Sequence, residues 1–143
     1  MKRNIDITTA TQTHNGGRVS RIMESYNTLP GWVKFWMNFI LGPINLATLA
    51  FLNEPSGVLI AALSIGGMAM VVSLVVITGG FTKIVAGGHI PLWTPLVAML
   101  AFAPPQGSAI YGTFLIALLV INAIALAFDY NDVRIWLQSR KRG

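Results

Sequence analysis

HIPLWTPLVAMLAFA, residues 89–103, decides how many times this chain crosses a membrane. At 1.5 Å per residue it yields about 22 Å of helix, short of the roughly 30 Å hydrocarbon core of a bilayer. It reaches full length by running back to Phe81 through the Gly87-Gly88 pair; otherwise it is re-entrant. Its neighbours are longer. Uncharged or nearly uncharged runs occupy 33–52 (VKFWMNFILGPINLATLAFL), 58–77 (VLIAALSIGGMAMVVSLVVI) and 110–128 (IYGTFLIALLVINAIALAF), each about the 20 residues a spanning helix needs.

Composition places these runs in lipid. The chain of 143 residues is 54% hydrophobic and 10% charged, whereas a soluble domain carries roughly 25% charged residues. The net charge of +5 raises the question of nucleic acid. The basic residues gather at the two ends, with Lys83 alone between them, which is the pattern of membrane flanks and not of a basic face for a duplex. With no cysteine, disulfides, thiolate metal sites and cysteine nucleophiles are excluded.

The connections NEPSG (53–57) and PPQGS (104–108) lack lysine and arginine, while the leader, the Lys83 loop and the tail contain them. The positive-inside rule then predicts four crossings with both termini cytoplasmic, in the plasma (inner) membrane. A re-entrant third segment would place a charge-free loop inside or the basic tail outside. Trp32, Trp36, Trp93 and Trp136 fall at predicted cytoplasmic ends, where indole suits the headgroup level, and Tyr111 marks the outer side.

The chain divides into three regions. Residues 1–27 form a polar, flexible cytoplasmic arm, retained and not cleaved, and RVSRIMESYNTLP (18–30) can make a short surface helix leading into the bilayer. Residues 28–128 form an all-α domain of four transmembrane helices (33–52, 58–77, 89–103, 110–128). Residues 129–143 form a basic amphipathic interfacial helix, with Asp132 as its N-cap and Arg134, Arg140, Lys141 and Arg142 on lipid headgroups.

The most patterned polar feature is in the first crossing. Lys34, Asn38, Gly42, Asn45 and Thr48, spaced 4, 4, 3 and 3, share a helical stripe. A polar stripe is unfavourable against lipid, so it is expected to face other helices or to line a path, with Asn122 of the last crossing opposite. Pro43 is expected to kink this helix and free a carbonyl beside Asn45. Ala62 and Gly66, and Ala123 and Ala127, have the small-xxx-small interval of close helix packing.

Residues 78–88, TGGFTKIVAGG, lack the G-x4-G-K-[ST] order of a phosphate loop. They read as an elbow whose glycines supply positive φ. His89 is the one candidate ligand, for a metal or a pigment, with Trp93 on the same face. A single histidine with nothing converging on it is poor for a metal cage, so no metal site and no cofactor are assigned. No acid lies inside a crossing, which disfavours proton-coupled transport; Glu54, Asp129 and Asp132 lie at helix ends.

The expectation is a non-catalytic multi-pass membrane subunit that self-associates or docks on other membrane subunits. The alternative is an oligomeric channel or facilitator for a small polar solute or ion. A membrane enzyme or pigment-binding protein using His89 stands third.

Overall fold

A computed structural model describes residues 17–143, and all of its elements are helical. The helix α1 spans Gly17–Asn27. The next stretch, 31–51, is helical throughout but in four pieces: α2 (Gly31–Phe35), a π turn (Trp36–Leu41), α3 (Gly42–Leu46) and a 3-10 turn (Ala47–Phe51). Then come α4 (Gly57–Thr78), the short α5 (Lys83–Ala86), α6 (Ile90–Phe102) and α7 (Ala109–Lys141).

Among the described residues three stretches are long and apolar enough to cross a membrane: Gly57–Thr78, Lys83–Phe102 and Ala109–Lys141. The third segment thus takes its longer form, with α5 completing α6 across the Gly87-Gly88 elbow. Residues 31–51 contribute no single long helix, because Pro43 removes a backbone donor and its ring crowds the carbonyl four residues back. The wider turn before it relieves that crowding, and Gly42 N–H donates to Met37 O, five residues back.

α6 packs between α4 and α7, while residues 31–51 pack on both from the other side. With little hydrophobic drive between helices in lipid, close contact has to supply the packing energy. At Gly67 α4 and α6 come into close contact: a Cβ there would lie 2.2 Å from Trp93 Nε1. In the notch so formed Trp93 is fully buried, and its indole N–H donates to Ser64 O at 3.1 Å. Leu96, Leu100, Leu115 and Leu118 extend this core.

The seam of α7 is regular. Tyr111, Leu115, Leu118, Asn122, Ala125 and Asp129 are buried at intervals of 4, 3, 4, 3 and 4. That is the 3.5-residue period of coiled-coil packing.

Several expectations need correction. Asp132 is no N-cap and 129–143 is no separate helix, because α7 runs unbroken for 33 residues with no glycine or proline after Gly112 to stop it. Trp93 is no headgroup anchor, since it is buried in the core, and Tyr111 at the far end turns inward and donates to Pro55 O at 2.7 Å. Of the elbow glycines only Gly79 has positive φ, at 77°. Gly87 and Gly88 are small for contact: a Cβ on either would lie 2.9 Å from Val133 or Leu74. In the N-terminal region, 1–16 lie outside the described residues, and Gly17–Asn27 is a formed helix whose Ser25 Oγ accepts from Phe81 N–H at 3.0 Å.

Gly67→Ala is expected to lower unfolding stability by about 1–3 kcal/mol through overpacking against Trp93. Gly112→Ala, where a Cβ would meet nothing within 4 Å, is expected to be neutral or to stabilise by up to about 1 kcal/mol. Unfolding midpoints of both variants in mixed detergent micelles check the notch; equal midpoints would refute it.

Candidate functional site

Besides the Trp93–Ser64 bond, two pairings between polar side chains join helices inside the bundle. In the first, Asn45 Nδ2 donates to Asn122 Oδ1 at 2.9 Å and Asn122 Nδ2 returns a bond to Asn45 Oδ1 at 3.1 Å. Asn45 also donates to Leu41 O at 2.9 Å, and Thr48 Oγ1 donates to Asn45 O. Both amides are fully buried. Where no water is available, this reciprocal pairing satisfies groups that would otherwise be left unbonded in hydrocarbon.

The expected polar stripe divides at the π turn. One extra residue in a turn rotates the rest of the helix by about 100° relative to a straight α-helix. Asn45 and Thr48 therefore point into the bundle, while Lys34 and Asn38 turn to α1. Asn38 Nδ2 bonds the Tyr26 hydroxyl, and Lys34 Nζ lies 3.4 Å from Asn27 O and 5.6 Å from the Tyr26 ring centre. Gly42 sits at the junction, where a Cβ would be 3.0 Å from Met37 O.

The second contact joins the start of α6 to α7. His89 Nδ1 lies 3.0 Å from Asp129 Oδ2, with side-chain exposures of 13% and 12%. One face of the imidazole is covered by Trp93, with ring centres 4.0 Å apart and planes 21° from parallel. Nearby, Lys83 Nζ meets Asp132 Oδ1 at 3.2 Å, and the Thr94 and Tyr130 hydroxyls pair at 2.9 Å. The polar ties between the third segment and α7 thus cluster at the basic end of the molecule.

Chemically, a carboxylate beside Nδ1 suits the tautomer in which Nδ1–H donates and Nε2 keeps the lone pair. An imidazole held this way can accept a proton or bind a metal. Among the described residues, however, no group of three or more His, Cys, Asp or Glu side chains comes together. The sequence offered one signal, since Asp129 continues the 3.5-residue seam that holds Asn122.

The small-residue pairs divide as well. Gly66 meets Leu92 on α6, where a Cβ would lie 3.0 Å from its Cδ1. Ala123 is partly buried, while Ala62 and Ala127 are less enclosed than the core positions beside them. Arg134, Arg140, Lys141 and Arg142 lie on the last turns of α7 and just beyond, and Arg140 stacks over Trp136 at 5.0 Å. No protein family, curated protein or solved structure matches the chain.

Replacing Asn45 or Asn122 alone by Leu strands the other amide and is expected to cost about 1–2 kcal/mol, with the double variant losing less than the sum. A double-mutant cycle by detergent unfolding measures the coupling. Strict additivity would show that the pair contributes nothing as a pair.

Proposed function

We propose that the chain is a four-crossing protein of the plasma (inner) membrane, with both termini cytoplasmic, acting as a non-catalytic membrane subunit that self-associates or docks on a larger membrane complex. Four crossings are supported by the helical course of 31–51 beside the three longer spans. Orientation is supported by charge: every Lys and Arg among the described residues lies at one end, and Glu54 alone marks the other.

The observation that carries the subunit reading is where the small side chains lie. Ala62 and Ala69 on α4, with Ser73 one turn on, follow one another at spacings of 7 and 4 outside the buried seam, flanked by larger exposed apolar residues such as Val58, Leu59 and Val72. Small residues on an outward face allow a second backbone to approach closely in lipid. The interior polar residues lend this reading nothing, because Asn45, Thr48 and Asn122 are satisfied within the chain. For the same reason they lend no support to a solute path: water or solute could pass between Asn45 and Asn122 only by breaking their pairing.

Two measurements test the proposal. In native lipid discs the wild-type chain is expected to emerge as a multimer or with companion subunits, and Ala62→Phe with Ala69→Phe is expected to release it. A wild-type monomer without companions would sink the subunit reading. For topology, the chain's lack of cysteine allows single thiols at Gln106 and Ser139. An impermeant maleimide on intact cells is expected to label the first only; labelling of the second without permeabilisation would reverse the orientation.

A further inference from the structure

His89 and Asp129 are two titratable groups from different helices, placed against each other with little access to water. They sit beside the elbow that joins α5 to α6. We propose that they form a proton-binding site, taking up and releasing one exchangeable proton, and that its occupancy sets how tightly the elbow is held on α7.

Three charge states are open to the pair. With Nδ1–H donated to the carboxylate and Nε2 free, it carries a net charge of −1. Uptake of a proton from water at Nε2 makes an imidazolium–carboxylate pair of net charge zero, and a second proton, on the carboxylate, leaves +1. In a low-dielectric site the neutral pair is favoured over either charged form. Imidazolium also gains attraction from the indole face of Trp93, which already lies 4.0 Å away. The singly protonated pair is therefore the tightest of the three.

One neighbouring charge bears on the pair: Asp132 acts on Asp129 as a second carboxylate, an effect that its own pairing with Lys83 offsets. α5 brings Lys83, and α7 brings Asp132 and Tyr130; Lys83 and Asp132 neutralise each other at 3.2 Å, and the Tyr130 hydroxyl is paired with Thr94 at 2.9 Å. α4, which also packs on α6, carries no titratable side chain.

Geometry couples this charge to movement. α5 has only four residues and is joined to α6 through Gly87 and Gly88. Its polar attachment to α7 on the elbow side consists of Lys83–Asp132 and His89–Asp129 among the described residues. Gly87 rests against Val133 with no side chain of its own to hold it there. Loosening the His89–Asp129 contact therefore leaves the more exposed Lys83–Asp132 and Thr94–Tyr130 pairs as the polar ties of this end to α7.

The test uses the full chain in lipid discs, with two readouts across roughly pH 5–8, the window in which histidine ordinarily changes charge. Imidazole 15N shifts report the proton, and spin labels at Thr82→Cys and Ile135→Cys report the elbow-to-α7 distance. The expected result is one titration of His89, with the label distance shifting by about 2–5 Å at the same midpoint. Asp129→Asn is expected to abolish both responses, and Asp132→Asn to leave His89 titrating. Should Asp129→Asn fail to fold, His89→Gln, which keeps a donor toward Asp129, serves instead and is expected to remove the distance change. A His89 ring in one protonation state throughout, a titration without a distance change, or a distance change that survives in these variants would each overturn the proposal.

Discussion

Trp93 in the notch at Gly67 sets the position of the helices around it. The indole can be fully buried against α4 only because residue 67 has no side chain, and its N–H then finds Ser64 O on the same helix. That contact fixes both the depth and the rotation of α6. One turn earlier in the chain, His89 is brought under the indole and onto Asp129. Further along toward the other end, Leu96 and Leu100 meet the regular seam of α7. A bulky apolar contact thus positions a polar one, and the polar one requires no loop of its own.

The bundle follows a single rule in disposing of its paired polar side chains. The amides and the carboxylate that enter the interior meet partners from another helix or its edge: Asn45 with Asn122, His89 with Asp129. The turns at the end away from the cations behave alike, since Glu54 accepts from Ser108 Oγ at 2.6 Å and from Ser108 N–H at 3.2 Å, joining two loops. Each pairing spans a long interval of sequence, so polar bonds fix which helices are neighbours, while apolar contacts fix how close they come.

Much of the fold was legible because lipid enforces simple patterns. Apolar runs of the right length located the three long helices among the described residues, and the expected facing of Asn45 and Asn122 is present in the structure. The illegible features depended on register and distance. The π turn before Pro43 rotates half of an evenly spaced stripe away from the other half, and spacing alone does not reveal a change of helix type. Asp129 read as a helix end because it is the first charge after the apolar run 110–128, yet α7 continues through it to Lys141. His89 looked isolated because its partner lies 40 residues away and shares no local motif with it.

The unbroken length of α7 has a mechanical consequence. At 33 residues it is a rod of about 50 Å, of which a bilayer core covers roughly 30 Å. From Asn122 to Lys141 the lever arm is about 28 Å. A tilt of about 10° around the asparagine pair would swing the cationic tip through roughly 5 Å. A shift too small to disturb the packed middle of the bundle would thus reach the cationic end of α7 as a displacement comparable to one turn of helix.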